Sequence, residues 1–217
     1  MCFSAPASFA AAAVTGMIGI ACVAKSGRLR EMPLAAMPLL FAAQQIVEGV
    51  LWLTLPVAPD GAEASLLTLV FLLYAKVLWP VYAPLSVALL EADAWRRRLM
   101  WAIVVSGAAV GGYFLPSIIR QDHSASILGG HIAYAGPELV PSWIAVSYFL
   151  STCVALLLSS VGAIRVLGLL VTVGAAITYA FYWDAFTSVW CFFAAAASIV
   201  LYSHFAAQAR SRTMASA

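Results

Sequence analysis

Apolar residues run along the chain in long blocks, separated by short clusters of charged and turn-forming residues and without strict alternation. Blocks near or above roughly 20 residues match the helix length that crosses about 30 Å of hydrocarbon. The pattern predicts spans at about 6–24, 33–55, 64–90, 99–119, 142–161, 166–183 and 184–207. Between the last two only Trp183-Asp184 is available for a turn, and merging them makes one stretch too long for a single tilted helix. The expected fold is all-α: one transmembrane helical domain over residues 1–217, a polytopic bundle of seven helices. The dyad alternation of an outer-membrane barrel is missing.

Composition supports the same reading. Of 217 residues 64% are hydrophobic and 9% charged, with a mean hydropathy of +0.99, whereas soluble domains carry about 25% charged residues. A lipid bilayer is therefore the expected solvent, and the cytoplasmic membrane the expected location. Orientation follows from Lys and Arg, because basic loops stay on the cytoplasmic side. Lys25, Arg28 and Arg30 fall in the first loop, Arg96, Arg97 and Arg98 in the third, Arg165 in the fifth, and Arg210 and Arg212 in the tail. The second loop carries Asp60 and Glu63, and the fourth sets Arg120 against Asp122 and Glu138. The N-terminus is expected outside and the C-terminus in the cytoplasm, the first span acting as a reverse anchor instead of a cleavable signal. This topology accounts for the net charge of +2. With neither a phosphate-binding glycine loop nor a basic stripe, nucleic acid is not an expected partner. The fourth loop, of roughly 22 residues, is the long one for a compact domain.

Ionisable residues inside spans cost several kcal/mol unless paired or wet, so each counts as a candidate site. Glu48 and Lys76 qualify. In Gln44-Gln45-Ile46-Val47-Glu48-Gly49-Val50-Leu51-Trp52, residues Gln44, Gln45, Glu48 and Trp52 share one helical face. On the expected topology Glu48 lies about 10 Å, and Lys76 roughly 18 Å, below the outer boundary at 1.5 Å per residue. Side chains tilt toward the N-terminus of their helix, so the two charged ends converge in depth. A structural ion pair and a ligand or proton relay both fit. Pro80 cannot donate to the Lys76 carbonyl, which frees that oxygen for a partner or simply kinks the helix. On the seventh span Asp184, Ser188 and Cys191 form one stripe, with Cys191 near the level of Glu48. Tyr148, Ser151, Thr152, Thr178, Tyr179 and Tyr182 add hydroxyls to the same half, which ordinary interhelical hydrogen bonds also explain.

The four cysteines lack zinc-type spacing. Cys22 and Cys153 read as small packing residues. Cys2, on the oxidising side, is a candidate to meet Cys191 as a disulfide or as thiolates of a transition-metal site. His131, in Gly129-Gly130-His131-Ile132-Ala133-Tyr134, is the candidate third ligand, because a glycine-rich loop lets the backbone dip toward the bundle mouth. His204 falls about 20 Å below Cys191 on nearly the opposite face, so the two do not share an ion.

The leader Met1-Cys2-Phe3-Ser4-Ala5, Gln45-x-x-Glu48, Trp79-Pro80 with Leu90-Glu91, His131-Ile132-x-Tyr134, Ser159-Ser160, and Ser188-Val189-Trp190-Cys191 with His204 resemble an uncharacterised bacterial family of small integral membrane proteins. The resemblance spans nearly the whole chain and implies no reaction, so whether the protein is an enzyme stays undecided.

Three functions fit. The first is an outward-opening polar site that binds an unknown small molecule or a metal, in a sensor or an intramembrane enzyme. It draws on Gln45, Glu48, Trp52, Lys76, Asp184 and Ser188, with Cys2, His131 and Cys191 as metal candidates. The second is a small-solute or proton transporter gated by Glu48 and Lys76, a reading weakened by the absence of a visible repeat. The third is a structural subunit of a membrane complex or homo-oligomer, for which Gly107, Ala108, Ala109, Gly111 and Gly112 offer a close-packing face.

Overall fold

The computed structural model describes residues 4–120, 123–136 and 140–216. Cys2, Asp122 and Glu138 lie outside the described residues. Helix α1 (Ala5–Lys25) starts where the Ser4 hydroxyl accepts the Ala7 N–H and Pro6 presets the first turn. A 3-10 turn, Leu29–Glu31, leads into α2 (Met32–Thr54). Helix α3 (Ala62–Leu90) contains a π turn at Leu73–Leu78. Helix α4 (Ala94–Ile119) is followed by strands β1 (Ser124–Leu128) and β2 (His131–Ala135). Helix α5 (Ser142–Leu157) carries a second π turn at Leu150–Val154, and α6 spans Gly162–Phe181. Helix α7 (Trp183–Ala215) begins with a 3-10 turn at Trp183–Ala185 and is broken at Ser198. The turn expected at Trp183-Asp184 is that 3-10 turn.

Six of these helices are long and apolar enough to cross a membrane. Helix α5 is the shorter apolar one and stops at Leu157, short of the expected 161. There the chain turns: the Ser159 hydroxyl accepts the Val161 N–H, and Glu91 at the end of α3 accepts the Ser160 N–H.

Two expectations about loops are corrected. Arg96, Arg97 and Arg98 lie in the first turns of α4, because the Asp93 carboxylate caps the backbone N–H groups of Trp95 and Arg96 at 2.8 and 3.1 Å. Arg165 likewise falls within α6, and Arg210 and Arg212 within α7. Hydropathy marks where a segment leaves lipid, whereas caps mark where a helix ends.

The fourth loop holds an antiparallel hairpin, pairing Leu128 with His131 and Ser124 with Ala135. Gly129 and Gly130 have φ of 57° and 78°, as a two-residue turn with positive φ at both central positions requires. Ala125 and Ile132 turn inward, packing with Leu51, Leu55, Ala64, Phe71 and Cys191. The hairpin thus caps one end of α2, α3 and α7.

Small residues set the closest helix contacts. A Cβ on Gly19 of α1 would lie 2.8 Å from the Leu39 backbone nitrogen of α2, and one on Gly107 of α4 would lie 1.8 Å from the Pro80 carbonyl oxygen of α3. Gly111 faces Val77 in the same α3–α4 seam, while Gly112 has nothing within 4 Å. The close-packing face of the fourth span is therefore occupied from within the chain at Gly107 and Gly111.

Candidate functional site

Glu48 sits on α2 one turn before the hairpin-covered Leu51, and its side chain is fully buried. Its carboxylate accepts hydrogen bonds from the Ser188 hydroxyl of α7 and from Gln45 Nε2 at 3.2 Å. Gln45 and Ser188 are equally buried. The same two helices are tied again one position away. Gln44 donates from Nε2 to Cys191 Sγ at 3.2 Å and accepts at Oε1 from Trp79 Nε1 of α3 at 2.7 Å. Trp79 is held in that pose by stacking on Phe41, with ring centroids 3.9 Å apart. A face that reads as one polar stripe in sequence thus becomes two adjacent networks joining α2, α3 and α7.

Two polar atoms of this face are buried with no hydrogen-bond partner among the described residues: Gln45 Oε1, an acceptor, and Trp52 Nε1, a donor. Buried polar atoms left in this state cost about 1–3 kcal/mol each. Gln45, Glu48 and Trp52 follow one another along the helix face, so the fully buried carboxylate has an unused acceptor on one side and an unused donor on the other.

Lys76 of α3 is half-buried; its Nζ lies 3.3 Å from His123 Nε2 and 4.8 Å from the centroid of the Phe114 ring. It is carried by the π turn. The Trp79 N–H bonds to the Tyr74 carbonyl, five residues back, and Pro80 has no N–H to offer. The π register therefore moves the orphaned acceptor from the Lys76 carbonyl, where an α-helical count places it, to Ala75. Tyr148 of α5 fills the vacancy, its hydroxyl donating to Ala75 O at 2.5 Å.

The other candidate residues separate. Asp184 is exposed on the 3-10 turn that opens α7, while Ser188 and Cys191 of the same stripe are buried. The hydroxyls of Ser151, Thr152 and Thr178 bond to carbonyls of their own helices and Tyr179 is exposed, so these groups form no shared pocket. The His131 ring lies edge-on to Tyr182 at 5.1 Å between centroids, and burial holds its imidazole below the usual histidine range. Among the described residues no group of three or more His, Cys, Asp or Glu side chains is placed to hold a metal ion.

A model for a family of unknown function, DUF6629, matches residues 1–216. The chain belongs to DUF6629. No curated protein and no solved structure matches it.

In this DUF6629 chain several of the segments singled out in the sequence meet. Gln45 and Glu48 meet Ser188, and Trp79 is linked through Gln44 to Cys191. Glu91 meets Ser160, 2.9 Å from its backbone nitrogen, and also accepts from Asp93 N at 3.4 Å. Burial alone would raise the Glu91 carboxyl, but hydrogen bonds from Ser160 and Asp93 and the Arg96 charge outweigh it and hold the group below the usual carboxylate range. Beside Trp79 and Cys191 lies an apolar cavity of about 50 Å³, walled by Phe41, Tyr148, Val171 and Trp190.

Three contributors escaped the sequence reading. His123 lies in the long loop and gives no sign there that it reaches Lys76. Gln44 reads as one more member of the Glu48 face, yet it is the joint between Trp79 and Cys191. Tyr148 reads as one hydroxyl among many. The π turn that gives it a purpose follows from hydrogen-bond register, which residue spacing does not reveal.

Proposed function

We propose that this protein is a seven-span protein of the cytoplasmic membrane, N-terminus outside, that binds a small hydrogen-bonding molecule at Glu48. The observation that carries this reading is the fully buried carboxylate flanked by a spare acceptor, Gln45 Oε1, and a spare donor, Trp52 Nε1. A carboxylate beside an amide oxygen favours a ligand with several N–H donors, an amine above all, because charge-assisted hydrogen bonds are the strong ones. Trp52 then takes an acceptor on the same molecule. Ser188 and Gln45 Nε2 hold Glu48 in place, and the hairpin shields the site from water, which strengthens each polar contact. Helix α5 crosses as the fifth span, completing the seven, with its short apolar length extended by the flanking turns, and the basic residues at alternate ends set the orientation.

A second reading, proton or solute movement, is favoured by one observation. Lys76 sits on a π turn, and π turns recur at functional sites. In that reading Glu48 and Lys76 exchange protons with the transported species, and His123 at 3.3 Å is the first group beyond Lys76.

Thermal-shift screening of the purified protein against primary amines and amino acids separates the two. The binding reading expects stabilisation by at least one amine in the wild type and none in Glu48→Gln, which keeps the size of the side chain and an acceptor for Ser188. Proteoliposomes that acidify their lumen in the wild type but not in Lys76→Met would favour transport instead.

A further inference from the structure

At the end of the bundle where α1 meets α2 lies a second cavity, of about 400 Å³. It is lined by Arg28 and Glu31 of the α1–α2 turn and by His204, Gln208, Ser211 and Arg212 of α7. No residue of the Glu48 site contributes to it.

The cavity is built. Glu31, only 7% exposed, accepts the Gly27 N–H at 2.8 Å and lies 3.6 Å from Arg212. Arg212 also donates to the Lys25 carbonyl, and its guanidinium fills the space a Cβ on Gly27 would take, which pins α7 onto the turn. Gln208 donates from Nε2 to His204 Nε2 at 3.1 Å, which leaves its buried Oε1 without a partner among the described residues. Arg28 is exposed, and among the described residues it has no hydrogen bond or ion pair. The cavity therefore presents the Arg28 guanidinium and the Glu31 carboxylate.

The rim is apolar. Leu29, next to Arg28, is 90% exposed, and Met214, three residues beyond Ser211, is 73% exposed. Large apolar side chains held outward beside a charged cavity fit acyl chains, not water. Basic pockets between membrane helices on the cytoplasmic side are known seats for phospholipid head groups.

We propose that this cavity binds the head group of a phosphodiester lipid whose polar end donates hydrogen bonds, such as phosphatidylethanolamine or phosphatidylglycerol. Arg28 takes the phosphate, Glu31 takes the ammonium or hydroxyl end, and Leu29 and Met214 lie along the chains. The inference rests on the membrane reading but not on a ligand at Glu48.

The test is native mass spectrometry of the full chain in detergent, with phosphatidylethanolamine, phosphatidylcholine or soluble glycerophosphoethanolamine added in turn. The expected result is one phosphatidylethanolamine retained, and weaker retention of phosphatidylcholine, whose quaternary ammonium has no N–H to give. Arg28→Glu lowers phosphatidylethanolamine retention about tenfold, the scale of one lost ionic contact. Arg165→Glu, the same charge change away from the cavity, does not. Arg28→Ala, with its melting temperature checked against the wild type, repeats the loss without adding a charge. Equal losses in Arg28→Glu and Arg165→Glu would overturn the proposal in favour of diffuse surface attraction. Glycerophosphoethanolamine binding as tightly as the lipid would overturn it in favour of a soluble phosphodiester.

Discussion

The Tyr148 hydroxyl donates to the Ala75 carbonyl at 2.5 Å, the oxygen that the π turn and Pro80 together leave without a donor from its own helix. One phenol thus satisfies a backbone defect in the helix that carries Lys76. Tyr148→Phe is expected to destabilise the protein by about 1–3 kcal/mol, the cost of a buried acceptor left unpaired. In Pro80→Ala the restored N–H can bond within the helix, so the same Tyr148→Phe change should cost less there. A thermal or denaturant double-mutant cycle measures the difference, and equal costs in both backgrounds would show that Tyr148 acts only by packing.

Gly107 and Gly112 give a sharp contrast within one helix. The Ala methyl of Gly107→Ala meets the Pro80 carbonyl oxygen, so melting should fall by the equivalent of about 3 kcal/mol, the upper range for overpacking. Gly112→Ala has open space and should be neutral or slightly stabilising, as Ala is the better helix former. Similar melting temperatures for both variants would contradict the α3–α4 seam.

Glu91 makes stability depend on acid. Its carboxyl titrates below the ordinary 4.5 in the folded protein, so the unfolded chain binds the proton first and stability rises with pH through that window. The contribution is complete above about pH 4.5 and is lost as pH falls through the lower folded value. Glu91→Gln should melt lower than the wild type at neutral pH and converge with it as the solution is acidified. A constant gap between the two would remove the Ser160 hydrogen bond as the cause.

These contacts show which parts of the molecule the sequence made legible. Long apolar blocks located the helices, because burial in lipid demands length and continuity. The hairpin was also written there, in two alternating segments flanking Gly129-Gly130, but its pattern is submerged in a uniformly apolar chain. Asp93 marks the start of α4 more accurately than hydropathy does, since a cap is a hydrogen-bonding event. The Gln45, Glu48 and Trp52 face was readable from helical spacing; depth pointed from Glu48 to Cys191 and Lys76, whereas the Ser188 hydroxyl is what donates to it. The Lys76 environment was not, because it depends on a π register and on a histidine delivered by the long loop. Glu31 and Arg212 lie far apart in sequence, and no local pattern announces their contact.

Metal content is a direct discriminator at the hairpin end. The Cys191 thiol is engaged by Gln44, and His131 packs on Tyr182. Elemental analysis of the purified protein should therefore give less than one transition-metal ion per chain, unchanged in Cys2→Ser, His131→Ala and Cys191→Ser. Stoichiometric metal lost in any of these single variants would put a metal ion, not an amine, at the centre of the site.

The central claim is that Glu48 holds a small molecule. Native mass spectrometry of protein released gently from membrane nanodiscs tests it, comparing the wild type with Glu48→Gln and with Ser188→Ala, which loosens the carboxylate without removing it. The expected result is a non-covalent small-molecule adduct on the wild type, reduced in Ser188→Ala and absent from Glu48→Gln at equal melting temperature. An adduct retained in full by folded Glu48→Gln, or no adduct on the wild type with the amine panel present, would contradict it.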